Sequence, residues 1–189
     1  AIDSPIPFSY FCTLLLYKLL NNNLKMEKTA IYYGSSTGNT KDIAELLGQK
    51  LDVQDIYDVA SAKAEFEQYN VLLFGSSTWG IGDLQDDWEG FISKVKSADL
   101  NGKKIALFGC GDSASYSDSF CDAVGKIYDD IKGKGCQIIG KVSTDGYSFD
   151  SSEAVVDGNF VGLVIDVDNE SDKTEARVNS WVEQLKSEM

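Results

Sequence analysis

Apolar positions along the chain fall into short runs that alternate with stripes at helical spacing. Thr29–Tyr33 (TAIYY) reads as a strand, after which Ile43, Leu46, Leu47 and Leu51 recur on one helical face. A second strand is expected near Val53–Val59, followed by a short helix after Ser61. Val71–Phe74 (VLLF) is apolar throughout and of strand length, while Trp88, Phe91, Ile92 and Val95 fall at i, i+3, i+4 and i+7. Ile105–Phe108 (IALF) is the next apolar run, and Phe120, Val124, Ile127, Tyr128 and Ile131 form another helical stripe. Gln137–Val142 and Val161–Ile165 have strand composition, and Val178, Trp181, Val182 and Leu185 mark a last helix. Strands that are apolar on both faces and separated by helices imply a parallel sheet covered on both sides. With right-handed crossovers the predicted fold is α/β, a doubly wound five-stranded parallel sheet. Ligands of such sheets sit beyond the carboxyl ends of the strands, which directs attention to the loops after strands one, three and four.

The first of these loops is Gly34-Ser35-Ser36-Thr37-Gly38-Asn39-Thr40. It combines hydroxyls with the free N–H groups of a helix N-terminus, the elements of an anion site. Asn39 occupies the place where a nucleoside-triphosphate loop needs Lys, and the dinucleotide pattern G-x-G-x-x-G is absent. An uncharged cradle suits a phosphate monoester; the plainer alternative is a capped turn. The second loop, Gly75–Asp83, carries Trp79 among glycines and small hydroxyl residues, and the third, Gly109–Asp118, carries Tyr116. A large aromatic in such a loop packs over a helix end or covers a flat aromatic ligand; two, from adjacent strand ends, favour the ligand.

Together, G34-S-S-T-G-N-T, S77-T-W-G-I-G-D-L-Q-D-D-W88 and G111-D-S-A-S-Y-S-D118 resemble the three FMN loops of flavodoxins, over about Met26 to Met189. The resemblance implies the flavodoxin-like strand order 2-1-3-4-5 and a low-potential one-electron carrier using non-covalently bound FMN. It implies shuttling between semiquinone and hydroquinone, without substrate turnover. Ser35, Ser36, Thr37, Gly38, Asn39 and Thr40 would hold the phosphate. Trp79 and Tyr116 would flank the isoalloxazine, with Ser77, Thr78, Gly80 and Gly111 in the same loops, Asp112 near its polar edge and Asp118 as a further contact. In the family the peptide after the first aromatic flips on reduction, and Gly80 should make that flip easy. Gly146–Asp168 resembles the extra loop and resumed fifth strand of the long-chain subgroup.

Composition narrows the alternatives. The chain has 189 residues, one domain's worth, and a formal net charge of −13, which disfavours nucleic acid and anionic membranes. It suits partners with basic patches, and the resemblance names ferredoxin/flavodoxin reductases and oxidoreductases as such partners. Histidine is absent and the four cysteines form no C-x-x-C pair, so no metal site is expected. Isolated thiols fit a reducing cytoplasm, and a monomer is the default state. Residues 1–25 stand apart: Ile6–Leu20 is apolar but short for a membrane span and interrupted by Pro7 and Lys18. We read 1–25 as upstream sequence or a leader and 26–189 as the FMN-binding domain. An NAD(P)H-dependent flavin or quinone reductase of the same fold is the alternative. A receiver domain lacks its aspartates here, since Phe74-Gly75-Ser76 and Tyr33-Gly34-Ser35 occupy those positions. A flavin module that activates another enzyme by docking is a third reading.

Overall fold

The computed structural model describes residues 27–189, so the reading of 1–25 lies outside the described residues. Strand β1 (Thr29–Gly34) leads into helix α1 (Asn39–Leu51), then β2 (Ile56–Asp58), β3 (Val71–Trp79) and a short β4 (Asp83–Leu84). Helix α2 (Asp86–Ser97), β5 (Lys104–Cys110) and α3 (Asp122–Ile131) follow. The chain ends with β6 (Gln137–Ile139), β7 (Val142–Ser143), β8 (Val155–Val156), β9 (Asn159–Phe160), β10 (Leu163–Ile165) and α4 (Val167–Glu188).

The main sheet runs β2-β1-β3-β5-β10, all parallel, which is the expected order 2-1-3-4-5. Its fifth position is built from two pieces. Strand β6 pairs with the start of β5 (Lys104 with Gln137), and β10 pairs with its end (Cys110 with Ile165). Between them lies an insertion that folds into an antiparallel sheet of its own, β7-β9-β8. The apolar runs in the sequence carried no sign of this second sheet, because its strands are only two residues long.

Alternation along each central strand divides the core between the two faces. Tyr32, Leu72, Phe74, Ile105 and Leu107 pack with Trp88, Phe91 and Val124 from α2 and α3. Ile31, Leu73, Ala106 and Phe108 pack with Leu47, Trp181 and Val182 from α1 and α4. Each large side chain so buried contributes about 1.5–3 kcal/mol. The first layer is aromatic: Tyr32 and Phe91 stack with centroids 5.8 Å apart, and Trp88 meets Phe74 edge-on at 5.7 Å.

Several expectations need adjusting. The strand expected over Gln137–Val142 ends at Ile139, and Val142 belongs to β7 of the second sheet. The second strand is shorter than Val53–Val59 because it is an edge strand, half-buried along its length. The helix expected after Ser61 is a single 3-10 turn at Phe66–Gln68. The glycine-rich stretch after Phe74 is not a loop throughout, since β3 continues to Trp79 and turns back through β4, pairing Trp79 with Asp83.

Candidate functional site

The first loop enters α1 without a side-chain cap. Gly38, at the N-cap, has φ 103°, a conformation that glycine adopts at little steric cost. Ser35 Oγ is spent within the loop, accepting the Gly38 N–H at 3.1 Å. Ser36 Oγ accepts from Gln85 Nε2 at 3.3 Å. The first N–H groups of α1 are therefore left for an external acceptor. Thr40, within this first turn, is fully buried, and its hydroxyl has no hydrogen-bond partner of oxygen or nitrogen. The neighbouring polar group is the Cys110 thiol. A buried unpartnered hydroxyl costs about 1–3 kcal/mol unless something else meets it.

Gln85 holds this loop against α2. It is 2 % exposed; its Oε1 caps α2 by accepting the Asp87 and Trp88 N–H groups at 3.1 and 3.3 Å. Its Nε2 reaches Ser36 and the Asp87 carboxylate. The hairpin bearing Trp79 is held from α3: Thr78 Oγ1 accepts the Ala123 N–H at 3.2 Å, and Lys126 pairs with Asp83 at 3.3 Å. At the tip, Gly80 has φ 54° and Gly82 φ 91°, with Asp122 packed against Gly82. Burial holds the Asp122 carboxyl above the ordinary carboxylate range.

The third loop is tied by its own aspartate. Asp112 Oδ1 accepts the Ala114 and Ser115 N–H groups at 3.0 and 2.8 Å and the Asn169 amide at 2.9 Å. Hydrogen bonds from Ser115, with Asn169 and Ala114 adding to them, hold the Asp112 carboxyl below its ordinary value. Behind it, the fully buried Asp166 caps α4 and accepts the Ser113 N–H at 2.9 Å. The insertion braces the far end of the same loop, where the Asp150 and Ser151 N–H groups donate to the Ser117 carbonyl at 3.0 Å. Cys110 and Cys121 are buried beside it; burial pushes the Cys110 thiol up to about 12 and the Cys121 thiol well above its usual value. Neither is a thiolate at neutral pH, so both serve as packing.

These loops converge on a cavity of about 200 Å³ at the carboxyl end of the sheet. Of the residues singled out in the sequence, Thr37, Asn39, Ser77, Thr78, Trp79, Gly80, Gly111, Asp112 and Tyr116 line it. Ser35, Ser36 and Gly38 shape the loop at its edge, Thr40 lies buried within α1's first turn, and Asp118 is solvent-exposed in the 3-10 turn Ser117–Ser119 and does not line the cavity. Cys110, Ser119, Val167 and Asp168 line it as well, unanticipated from sequence. The run of acids after Asp166 did carry a helix-start signal, but nothing local places that start beside the third loop. Trp79 (41 % exposed) and Tyr116 (53 %) stand at the mouth, with Ile81 on the hairpin tip. Large aromatic surface left in water around a cavity marks a ligand or partner surface. Among the described residues there is no cluster able to hold a metal ion.

Comparison with known proteins gives this arrangement a lineage. The sequence profile of the flavodoxin family matches residues 31–181. The chain is 45% identical over 165 residues to a flavodoxin of Synechocystis, covering 85% of this chain and 97% of that one. It is 44% identical over 168 residues to flavodoxin 1 of Escherichia coli K12, covering 87% and 96%. Among solved structures, Fusobacterium nucleatum flavodoxin bound to flavin mononucleotide superimposes with a TM-score of 0.82 at 28% identity, covering 87% of this chain and 99% of that one. The chain belongs to the flavodoxin family.

Proposed function

We propose that the protein is a one-electron carrier that holds FMN non-covalently between these three loops. The observation that carries the reading is the uncapped first turn of α1, which contains the buried and unpartnered Thr40 hydroxyl and lies against a cavity whose mouth presents Trp79 and Tyr116. The first feature fits a phosphate and the second a flat ring, and FMN joins the two. The flavin would supply the redox chemistry; the chain's residues bind it, orient it and set the charge around it.

Thr37, Asn39 and Thr40 would take the phosphate with the free N–H groups of α1, and Ser35, Ser36 and Gly38 would hold that loop in shape. Trp79 and Tyr116 would cover the ring and exclude water. Ser77, Thr78, Gly80 and Gly111 would line its surroundings, and Asp112 would face its polar edge. Asp118 is the outlying member of the set. Carboxylates nearby oppose added negative charge: one pair at ~6 Å and an effective dielectric of about 20 costs roughly 3 kcal/mol, less where water screens it. The site should therefore favour a low potential. The interrupted fifth strand supports assignment to the long-chain subgroup.

Partners of this carrier would be redox proteins with basic patches, such as ferredoxin/flavodoxin reductases, met by a monomer in the cytoplasm. No helix among the described residues is long and apolar enough to cross a membrane. Residues 1–25 would be dispensable to the FMN-binding domain, 26–189. The deciding experiment is stepwise dithionite reduction of the purified chain with FMN. A blue one-electron-reduced form preceding full bleaching is the expected result. Bleaching in one step, failure to retain FMN, or NAD(P)H oxidation without an added reductase would overturn the carrier reading.

A further inference from the structure

We infer that Asn169, in the first turn of α4, is a positioning residue that fixes the Asp112 carboxylate at the cavity wall and so sets FMN affinity and potential. The inference rests on the carrier reading and concerns how the cavity's charge is held.

Asn169 sits between two carboxylates. Its Nδ2 donates to Asp112 Oδ1 at 2.9 Å and to the two Asp166 oxygens at 2.9 and 3.0 Å. The assignment of its amide follows from chemistry, because the carboxylate oxygens around it accept and only the NH₂ end of the amide can serve them. Asn169's own N–H donates to Asp166 Oδ1 at 3.0 Å, so the side chain projects from a turn that is itself capped. Asp166 is fully buried and also takes the Ser113 N–H and hydroxyl, at 2.9 and 2.6 Å. One rigid post, the start of α4, therefore grips the third loop twice: through Ser113 by Asp166 and through Asp112 by Asn169.

The other bonds to Asp112 come from within its own loop, from Ala114 and Ser115. Such bonds travel with the loop and cannot anchor it. Asn169 is the hydrogen-bonding link between the Asp112 carboxylate and a different element of the fold. Asp112 and the α4 residues Val167 and Asp168 line the same cavity wall, so a carboxylate released from Asn169 would move relative to that wall. Asn169 is itself exposed, so replacing it leaves the core intact.

Asn169→Ala removes the link. Asn169→Asp removes it and brings a third carboxylate against Asp112 and Asp166, so its effect should exceed that of alanine. The full chain, stripped of flavin, would be titrated with FMN by fluorescence quenching. The one-electron midpoint potentials would be read by redox titration, and the Asp112 carboxyl by carbon NMR in the flavin-free protein. We expect Asn169→Ala to weaken FMN binding about tenfold and Asn169→Asp more. The potential should shift in both variants, with the Asp112 titration moved toward the ordinary carboxylate range and the helical circular dichroism unchanged. A merely structural role would leave the potential and the Asp112 titration where they are. Wild-type binding accompanied by variants with unaltered affinity, potential and Asp112 titration overturns this inference alone. Wild-type protein that retains no FMN overturns the carrier reading and the inference with it.

Discussion

Thr40 carries a cost that a bound ligand would relieve. Its hydroxyl is buried without an oxygen or nitrogen partner, a cost to the flavin-free protein that valine, of the same shape, avoids. Thr40→Val should therefore raise the stability of the flavin-free chain by about 1 kcal/mol while weakening FMN binding, a trade measurable by urea denaturation and FMN titration. Stability and affinity moving together would refute it. Gly80 poses the converse case. Its φ is 54° and a Cβ there would lie 2.7 Å from Asp83 Oδ2, so Gly80→Ala should strain the turn by about 1–2 kcal/mol. The variant should also yield less one-electron-reduced flavin; an unchanged yield in a dithionite titration would remove the turn from the redox account. Asp122 governs a pH effect. Burial holds its folded carboxyl above the ordinary aspartate value, so its contribution to stability is complete below the unfolded value and is lost as pH rises through the folded value. Asp122→Asn keeps an oxygen for the Glu153 N–H, which now donates to Asp122 Oδ1 at 2.7 Å. The variant should be the more stable protein at pH 7, with the advantage vanishing toward about pH 3.5, as thermal melts at the two pH values would show. A constant difference across that window would point to packing instead.

Elements reach this site through their ends. The first turn of α1 is left open, whereas α2, α3 and α4 are closed by Gln85, Thr78 and Asp166, and each of those residues also ties down a loop of the cavity. Gln85→Ala should cost about 1–2 kcal/mol by uncapping α2, and it frees Ser36 as well, so FMN affinity should fall with stability. Equal affinity in the variant would show that the first loop holds its shape unaided. The element pattern was largely legible in the sequence, because apolar runs of strand length and stripes at i, i+3, i+4 depend on local spacing. Phe120 shows the limit of that reasoning: it falls on the stripe of α3 yet precedes the helix, packing with Phe149 and Phe160 of the insertion. Periodicity records which side chains are buried, and it cannot tell which partner buries them.

At the scale of the whole molecule, charge is the governing quantity. A net charge of −13 on 189 residues should speed encounter with a basic redox partner, and salt should undo that advantage. Electron transfer to such a partner, followed by stopped flow, should slow steadily as ionic strength rises; a rate indifferent to salt would leave apolar contact at Trp79, Ile81 and Tyr116 as the source of docking. The sequence alone determined the alternation of elements, the parallel sheet and the three loops at its carboxyl end, since each is written in residues close together along the chain. The tertiary structure decided that the insertion in the fifth strand folds into a second sheet, which hydroxyls of the first loop are spent and which is orphaned, and that Asp166 and Asn169 grip a loop more than fifty residues earlier. Those features arise from hydrogen bonds between distant segments, whose geometry exists only once the chain has closed around its core.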